Sequence, residues 1–134
     1  MAIKQLTVFV ENKKGTMASV TDVLSKNNVN IRALSIAETQ DFGILRLIVN
    51  DDKAAMKALE EKEYLIKSID VVGVKIGDAP GKLADALGVL DQAGINVEYL
   101  YAFMARTEKH AYVVLRVEDN EVAESVLANA GFKL

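Results

Sequence analysis

The residue types best suited to bind a small molecule occur in two short segments, placed 66 positions apart. Residues 12–16 are Asn-Lys-Lys-Gly-Thr, and residues 78–82 are Asp-Ala-Pro-Gly-Lys. Each glycine precedes a helical pattern, and the first backbone amides of a helix attract a small anion such as a carboxylate. Asn12 and Asp78 add a side-chain oxygen that accepts a hydrogen bond from an ammonium group. Because a zwitterion needs both partners close together, the two segments predict sites for small zwitterionic molecules.

The same residues also have a purely structural interpretation. Pro80-Gly81 is a strong turn signal, since proline presets its own φ and glycine accepts a positive φ. In this interpretation Asn12 and Asp78 only stabilise their turns, and Thr16 caps the following helix. The residue types of these two segments favour neither interpretation over the other.

A second repeated element follows each predicted helix. Residues 28–30 are Asn-Val-Asn, and residues 94–96 are Gly-Ile-Asn. Asparagine is unfavourable in strands, yet Asn30 and Asn96 both stand where a strand is predicted to begin. The side-chain amide offers a donor and an acceptor together, which suits a polar ligand. A turn asparagine that bonds to its own backbone is the alternative.

Residues for catalysis are scarce. The chain has one histidine and no cysteine, and His110 follows a charged turn at residues 107–109, where a solvated histidine is far commoner than a general base. The serines have no histidine and aspartate partners in their own repeat, and no cluster has metal-ligand spacing. We therefore predict a protein that is not an enzyme, with no catalytic residue, no metal and no cofactor.

Internal repetition predicts the elements that position these segments. With Gly15 aligned on Gly81, most apolar positions agree between the two halves. Alternating residues predict strands near 6–10 and 72–76, and helical spacing predicts helices near 17–24 and 83–90. Further strands are predicted at 30–38, 43–50, 96–104 and 111–118, and further helices after Asp51 and Asp119.

The predicted order is βαββαβ, twice. Such a unit packs both helices on one face of an antiparallel sheet, so we expect an α+β chain of two ferredoxin-like repeats, residues 1–67 and 68–134. No linker separates them, because residues 64–76 are a nearly continuous strand pattern. The last strand of the first repeat is expected to continue directly into the first strand of the second.

Composition narrows the classes of partner. Of 134 residues, 51% are hydrophobic and 26% are charged, which is typical of a soluble globular protein. The formal net charge of −3 is unlike that of a nucleic-acid binder, which carries a basic face. No apolar run approaches the roughly 20 residues of a membrane-spanning helix, and the N-terminus has no signal-peptide core. The expected location is the cytoplasm, with neither nucleic acid nor membrane as partner.

Two βαββαβ units with D/N-x-x-G before the first helix and G/N-[IV]-N after it resemble a tandem pair of ACT domains, over nearly the whole chain. That resemblance implies regulatory modules that bind a free amino acid at an edge shared by two domains, between the Gly-containing loop of one and the second strand of its neighbour. The implied ligand-binding positions are Asn12, Gly15, Thr16, Met17, Asn30, Arg32, Asp78, Pro80, Gly81, Lys82, Leu83 and Asn96.

The first repeat departs from the usual pattern of the family. Lys13-Lys14 stands where x-Pro is common, and Asn28 replaces glycine. Arg32 occupies the position that Glu98 has in the second repeat, so a pocket using one strand of each kind would be asymmetric.

The leading hypothesis is a stand-alone, non-catalytic regulatory protein that binds an amino acid between its ACT-like domains. It would signal to a partner protein or through oligomerisation, as a homodimer. The alternative is a structural adaptor that has lost ligand binding, and a small enzyme with a site hidden at an interface is least favoured.

Overall fold

A computed structural model describes residues 2–104 and 110–134. Within them the chain forms six strands and four helices. The predicted turn at residues 107–109 lies outside the described residues. In chain order the elements are β1 (Ala2–Glu11), α1 (Thr16–Lys26), β2 (Ile31–Glu38), β3 (Phe42–Val49), α2 (Asp52–Glu61), β4 (Leu65–Gly77), α3 (Lys82–Gln92), β5 (Tyr99–Ala102), β6 (His110–Arg116) and α4 (Asn120–Asn129).

Two compact units make up the chain. We call Lys4–Ile69 the first unit, and Asp70–Leu134 with the N-terminal residues up to Ile3 the second unit. The strand β4 is a single 13-residue element that begins in the first unit and ends in the second. The predicted continuity of residues 64–76 is therefore confirmed. No described helix combines the length and the apolar character that crossing a membrane requires.

The first unit packs two helices on one face of its strands, which follow the order β2-β3-β1-β4. The strands β1 and β3 are antiparallel, with Leu6 opposite Leu47 and Val8 opposite Leu45. All four of these side chains are buried. They form one core with Leu24 of α1 and with the buried side of α2. This arrangement is the predicted ferredoxin-like one.

The second unit repeats this packing on strands in the order β4-β6-β5. Val72 of β4 faces Leu115 of β6, and both are fully buried. Leu90 of α3 and Leu127 of α4 complete the core from the helix side. Leu90 corresponds to Leu24 of the first unit, and each has a relative exposure of 0%. The apolar spacing that predicted both helices thus marks their buried faces.

Helix ends follow the predicted signals. Asp51 is the N-cap of α2, and its side chain accepts a hydrogen bond from Ala54 N. Asp119 is the N-cap of α4, and its side chain accepts a hydrogen bond from Val122 N. After α1 and α3 the chain turns through a positive φ, 57° at Asn28 and 74° at Gly94. The asparagine therefore takes the left-handed position that glycine takes in the second unit.

The strand β5 is shorter than its predicted range of 96–104. It covers Tyr99–Ala102 only, although main-chain bonds to β6 continue on both sides. Glu98 N donates to Arg116 O at 2.9 Å, and Phe103 N donates to Tyr112 O at 2.9 Å. Asn96 lies before this pairing begins, in a segment without regular structure, so the expectation that it begins a strand is wrong.

Candidate functional site

The two glycine loops have nearly the same backbone. Gly15 and Gly81 are the N-cap residues of α1 and α3, with φ values of 90° and 88°. At such a φ a residue with a Cβ is strained, so glycine is needed at both positions. Neither helix start receives a side-chain cap from a described residue. The first amide of each helix bonds to its own loop, Thr16 N to Lys13 O and Lys82 N to Ala79 O, both at 3.3 Å. The next amides of each helix are therefore the ones that suit an external anion. Thr16 is the first residue of α1 and not its cap, so that structural expectation is wrong.

The side chain of Asn12 holds its own loop together. Its Nδ2 donates to the carbonyl oxygen of Thr39 at 2.9 Å, and its backbone N donates to the carbonyl oxygen of Asp41 at 3.0 Å. Both acceptors lie in the turn between β2 and β3. Asn12 therefore connects the β1–α1 loop to that turn, as the structural interpretation of this residue expects.

Lys13 is also engaged within the first loop. Its Nζ lies 2.9 Å from Oε2 of Glu11, and both side chains are exposed. The hydrogen bond to that carboxylate, with its negative charge, raises the pKa of Lys13. The ammonium group of Lys13 is thus paired with the last residue of β1.

Asp78 differs from its counterpart Asn12. It is exposed, and its carboxylate forms no hydrogen bond or ion pair with any residue in the described part of the chain. The turn after it closes through the main chain, with Lys82 N donating to Ala79 O at 3.3 Å. The second loop therefore presents a carboxylate close in sequence to an uncapped helix N-terminus.

Two predicted residues, Met17 and Leu83, occupy equivalent positions as the second residues of α1 and α3. Both are partly buried and pack against the core of their own unit. Their side chains serve the core, which leaves the main chain as the part of each residue that can contact a ligand.

The predicted asparagines lie far from the loops of their own units. An 11-residue helix separates Gly15 from Asn30, and another separates Gly81 from Asn96. Such a helix is about 16 Å long. A single unit therefore cannot bring its loop and its asparagine onto one small ligand.

Asn30 is fixed through its main chain. Its N donates to Oδ1 of Asn50 at 2.9 Å, and its carbonyl oxygen accepts from Asn50 N at 3.1 Å. The side chain of Asn30 itself stays exposed. Asn50 was not among the predicted site residues. Its position could have indicated such a role, because it is a polar residue at the end of an apolar strand pattern, directly before the cap Asp51.

The second strand of each repeat, β2 or β5, has a charged residue at or just before its start, and the two charges are of opposite sign. Arg32 is exposed, and no ion pair joins it to another described residue. Glu98, its counterpart, lies 3.8 Å from Arg116 through the closest atoms, Oε2 and Nε. The first unit thus presents a cation where the second presents a paired carboxylate.

Asn96 and Lys82 line two different depressions of the second unit. Asn96 lies in a groove of about 1230 Å³, which we call the acidic groove. Lys82 lines a smaller one of about 370 Å³. The described residues on the walls of the acidic groove include Arg116 and six carboxylates, namely Asp70, Glu98, Glu118, Asp119, Glu121 and Glu124. Among the described residues, no group of three or more histidines or carboxylates is arranged to hold a metal ion.

Comparison with protein families gives a match over nearly the whole chain. A family model described as an ACT domain pair covers residues 1–133. The chain belongs to the ACT domain family. Its ACT domain pair has the repeat architecture that the loops and the helical spacing predicted. A search of the curated proteins found no match.

Solved structures similar to this ACT domain pair include that of a protein from Bacteroides thetaiotaomicron. It shares 41% of its residues over 99% of this chain and 91% of its own, with a TM-score of 0.92. The regulatory subunit of aspartate kinase from Thermus thermophilus, in a ligand-free form, matches at 19% identity and a TM-score of 0.69, over 96% and 92% of the two chains. The corresponding subunit from Thermus flavus matches at 18% identity, with a TM-score of 0.64 and coverage of 95% and 91%. At these low identities the two kinase subunits show a shared fold.

Proposed function

We propose that this ACT domain pair is a non-catalytic, cytoplasmic regulatory protein that binds a free amino acid through its second glycine loop. The observation that carries the proposal is the loop at residues 78–81. It combines the carboxylate of Asp78, which has no partner among the described residues, with the uncapped amides that follow the first residue of α3. The amides suit the α-carboxylate of an amino acid, and Asp78 suits its ammonium group.

The rest of the site comes from a neighbouring ACT-like domain. Since one unit cannot bring its loop and its asparagine together, the proposal takes the second contact from the second strand of another domain, as the resemblance implies. Arg32 or Glu98, and the amide of Asn30 or Asn96, are the residues that such a strand offers. The two domains involved are residues 1–67 and 68–134, in one chain or in a homodimer.

The response to the ligand must reach another molecule. A binding module without catalysis acts only if the ligand favours one state of the protein over another. We propose that the amino acid changes the assembly of the chain or its affinity for a protein partner. Membranes and nucleic acids are not part of this proposal.

A thermal-shift screen of the purified chain against the twenty amino acids, each at millimolar concentration, tests the proposal. A ligand at about 100 times its Kd adds roughly 2.7 kcal/mol to the free energy of unfolding. That should raise Tm by several degrees in a chain of this size. We expect a selective shift with one or two amino acids, lost in Asp78→Ala and retained in Asp91→Ala, a matched exposed aspartate at the far end of α3. A cooperatively melting chain without any shift would contradict the proposal.

The first loop favours a different role for its own domain. Asn12 and Lys13 are both engaged by neighbouring residues, so this loop resembles a structural turn more than a binding site. The adaptor alternative therefore applies to the first domain, which would have lost ligand binding and would serve a structural role only. This alternative predicts one class of amino-acid site per chain.

A further inference from the structure

A second depression of the second unit, unlike the acidic groove, is lined by basic side chains. We call it the basic groove. Its volume is about 370 Å³, near the lower end of the range for small-molecule pockets. Among the described residues that line it there are three lysines and one histidine but no carboxylate, and the full set is Lys75, Ile76, Gly77, Lys82, His110, Gly131, Phe132 and Lys133.

Two of the lysines are direct neighbours across a short antiparallel bridge. Lys75 of β4 is paired with Lys133, and Lys75 N donates to Lys133 O at 2.8 Å. Paired residues of antiparallel strands share one face of the sheet. The two ammonium-bearing side chains therefore emerge on the same side, about 5 Å apart at their Cβ atoms.

The other two basic residues lie on the same face, around Gly77. Gly77 is two residues beyond Lys75 and is paired with His110, so all three share that face. Lys82 reaches it from the start of α3. A Cβ built on Gly77 would lie only 3.2 Å from Cγ of Lys82. The absent side chain of Gly77 thus leaves the space that the methylene chain of Lys82 crosses.

This arrangement is unfavourable in the absence of an anion. Like charges directly opposite each other destabilise a sheet, and none of the three lysines forms an ion pair with another residue of the described chain. A bound anion would offset the repulsion by interacting with all three ammonium groups at once.

We propose that the basic groove binds the phosphate group of a small organic molecule. Lysine ammonium groups are compact charges that bind phosphate well, and three of them suit a group with more than one negative charge. The volume exceeds what one phosphate fills, which leaves room for the rest of the molecule. This site is separate from the proposed amino-acid site except for Lys82.

Titration of the intact chain with sodium pyrophosphate tests this site. Calorimetry at constant ionic strength, maintained with sodium chloride, should show saturable binding of one pyrophosphate per chain. The double variant Lys75→Gln/Lys133→Gln should weaken that binding at least tenfold. The control Lys57→Gln/Lys62→Gln removes two exposed lysines of the first unit and should change it less than twofold.

Stability separates loss of the site from loss of the fold. In phosphate-free buffer the Lys75→Gln/Lys133→Gln variant should melt at or above the wild-type Tm, since two opposed charges are gone. The proposal is overturned if pyrophosphate does not saturate at millimolar concentration, if the double variant binds it as the wild type does, or if citrate binds equally tightly. Because Lys75 and Lys133 are outside the amino-acid site, these results do not depend on the amino-acid screen.

Discussion

The two glycine loops have one backbone and two different chemical environments. Gly15 and Gly81 differ by only 2° in φ, at 90° and 88°. In the first loop the side chain of Asn12 is bonded to Thr39 O. In the second the carboxylate of Asp78 has no hydrogen-bonding or ionic partner among the described residues. A repeated motif therefore conserves the turn in both units and leaves a charged group available in one of them.

The difference between the loops separates the part of the motif that the fold requires from the part that it leaves variable. The glycine is required by the backbone in both loops, and the uncapped helix start accompanies it. The residue three positions before the glycine is under no such requirement, so it can hold a neighbouring turn or remain free. We therefore assign the proposed amino-acid site to the second loop.

The largest expected effect tests whether the two units have equivalent cores. Leu24 and Leu90 are both fully buried, so replacing either with alanine removes apolar contacts and leaves a cavity. We expect Leu24→Ala and Leu90→Ala each to lower the free energy of unfolding by about 2–5 kcal/mol. Urea denaturation measures both. A loss below about 1 kcal/mol at only one of them would break the equivalence of the repeats.

A smaller effect tests the shared backbone of the loops. No atom lies within 4 Å of a Cβ built on Gly15 or Gly81, so an alanine meets no steric contact and suffers only the strain of the positive φ. Gly15→Ala and Gly81→Ala should each cost about 1–2 kcal/mol in denaturant unfolding. Clearly unequal losses would contradict the backbone similarity of the two loops.

The helix caps should give nearly equal losses. Asp51 and Asp119 each accept a hydrogen bond from the helix that follows, at 3.1 Å and 3.2 Å. Asp51→Ala and Asp119→Ala should each reduce the free energy of unfolding by about 1 kcal/mol. Thermal unfolding measures the loss of stability in each variant, with Asp91→Ala as the control because Asp91 does not cap a helix N-terminus. An Asp119 variant as stable as that control would remove this similarity between the units.

The smallest expected effect on stability compares the side chains of Asn12 and Asp78 in the two loops. Asn12→Ala loses the bond to Thr39 O, which is exposed, and should cost about 0.5–1 kcal/mol. Asp78→Ala loses no bond to a described residue and should stay within about 0.5 kcal/mol of the wild type. Parallel denaturation curves compare the two variants. An equal or larger loss at Asp78 would show that its carboxylate also serves the fold.

Much of the fold could be predicted from the sequence, because its signals are local and occur twice. The periodicities of two and of about 3.6 residues marked the buried faces, and Asp51 and Asp119 were recognisable as caps before an apolar pattern. The length of β5 was overestimated. The predicted range began at Asn96, but pairing with β6 starts at Glu98, and apolar spacing does not reveal where hydrogen bonding begins.

The site was less predictable because its important features are contacts between distant residues. Nothing near Asn12 in the sequence indicates that its amide reaches Thr39, 27 residues later. The pairing of Lys75 with Lys133 joins residues that lie even further apart in the sequence, and it places like charges together against the usual preference. The sequence did indicate the glycines, since a positive φ before a helix is a property of the local backbone.

Calorimetric titration tests whether the second loop carries the proposed amino-acid site. The titrant is the amino acid that gives the largest thermal shift, and the proteins are the wild type, Asp78→Ala and Asn12→Ala. Loss of a charge-assisted hydrogen bond worth about 1.5–3 kcal/mol predicts that Asp78→Ala weakens binding at least tenfold. Asn12→Ala should stay within twofold of the wild-type Kd. Equal weakening by both variants, or weakening by Asn12→Ala alone, would contradict the assignment of the site to the second loop.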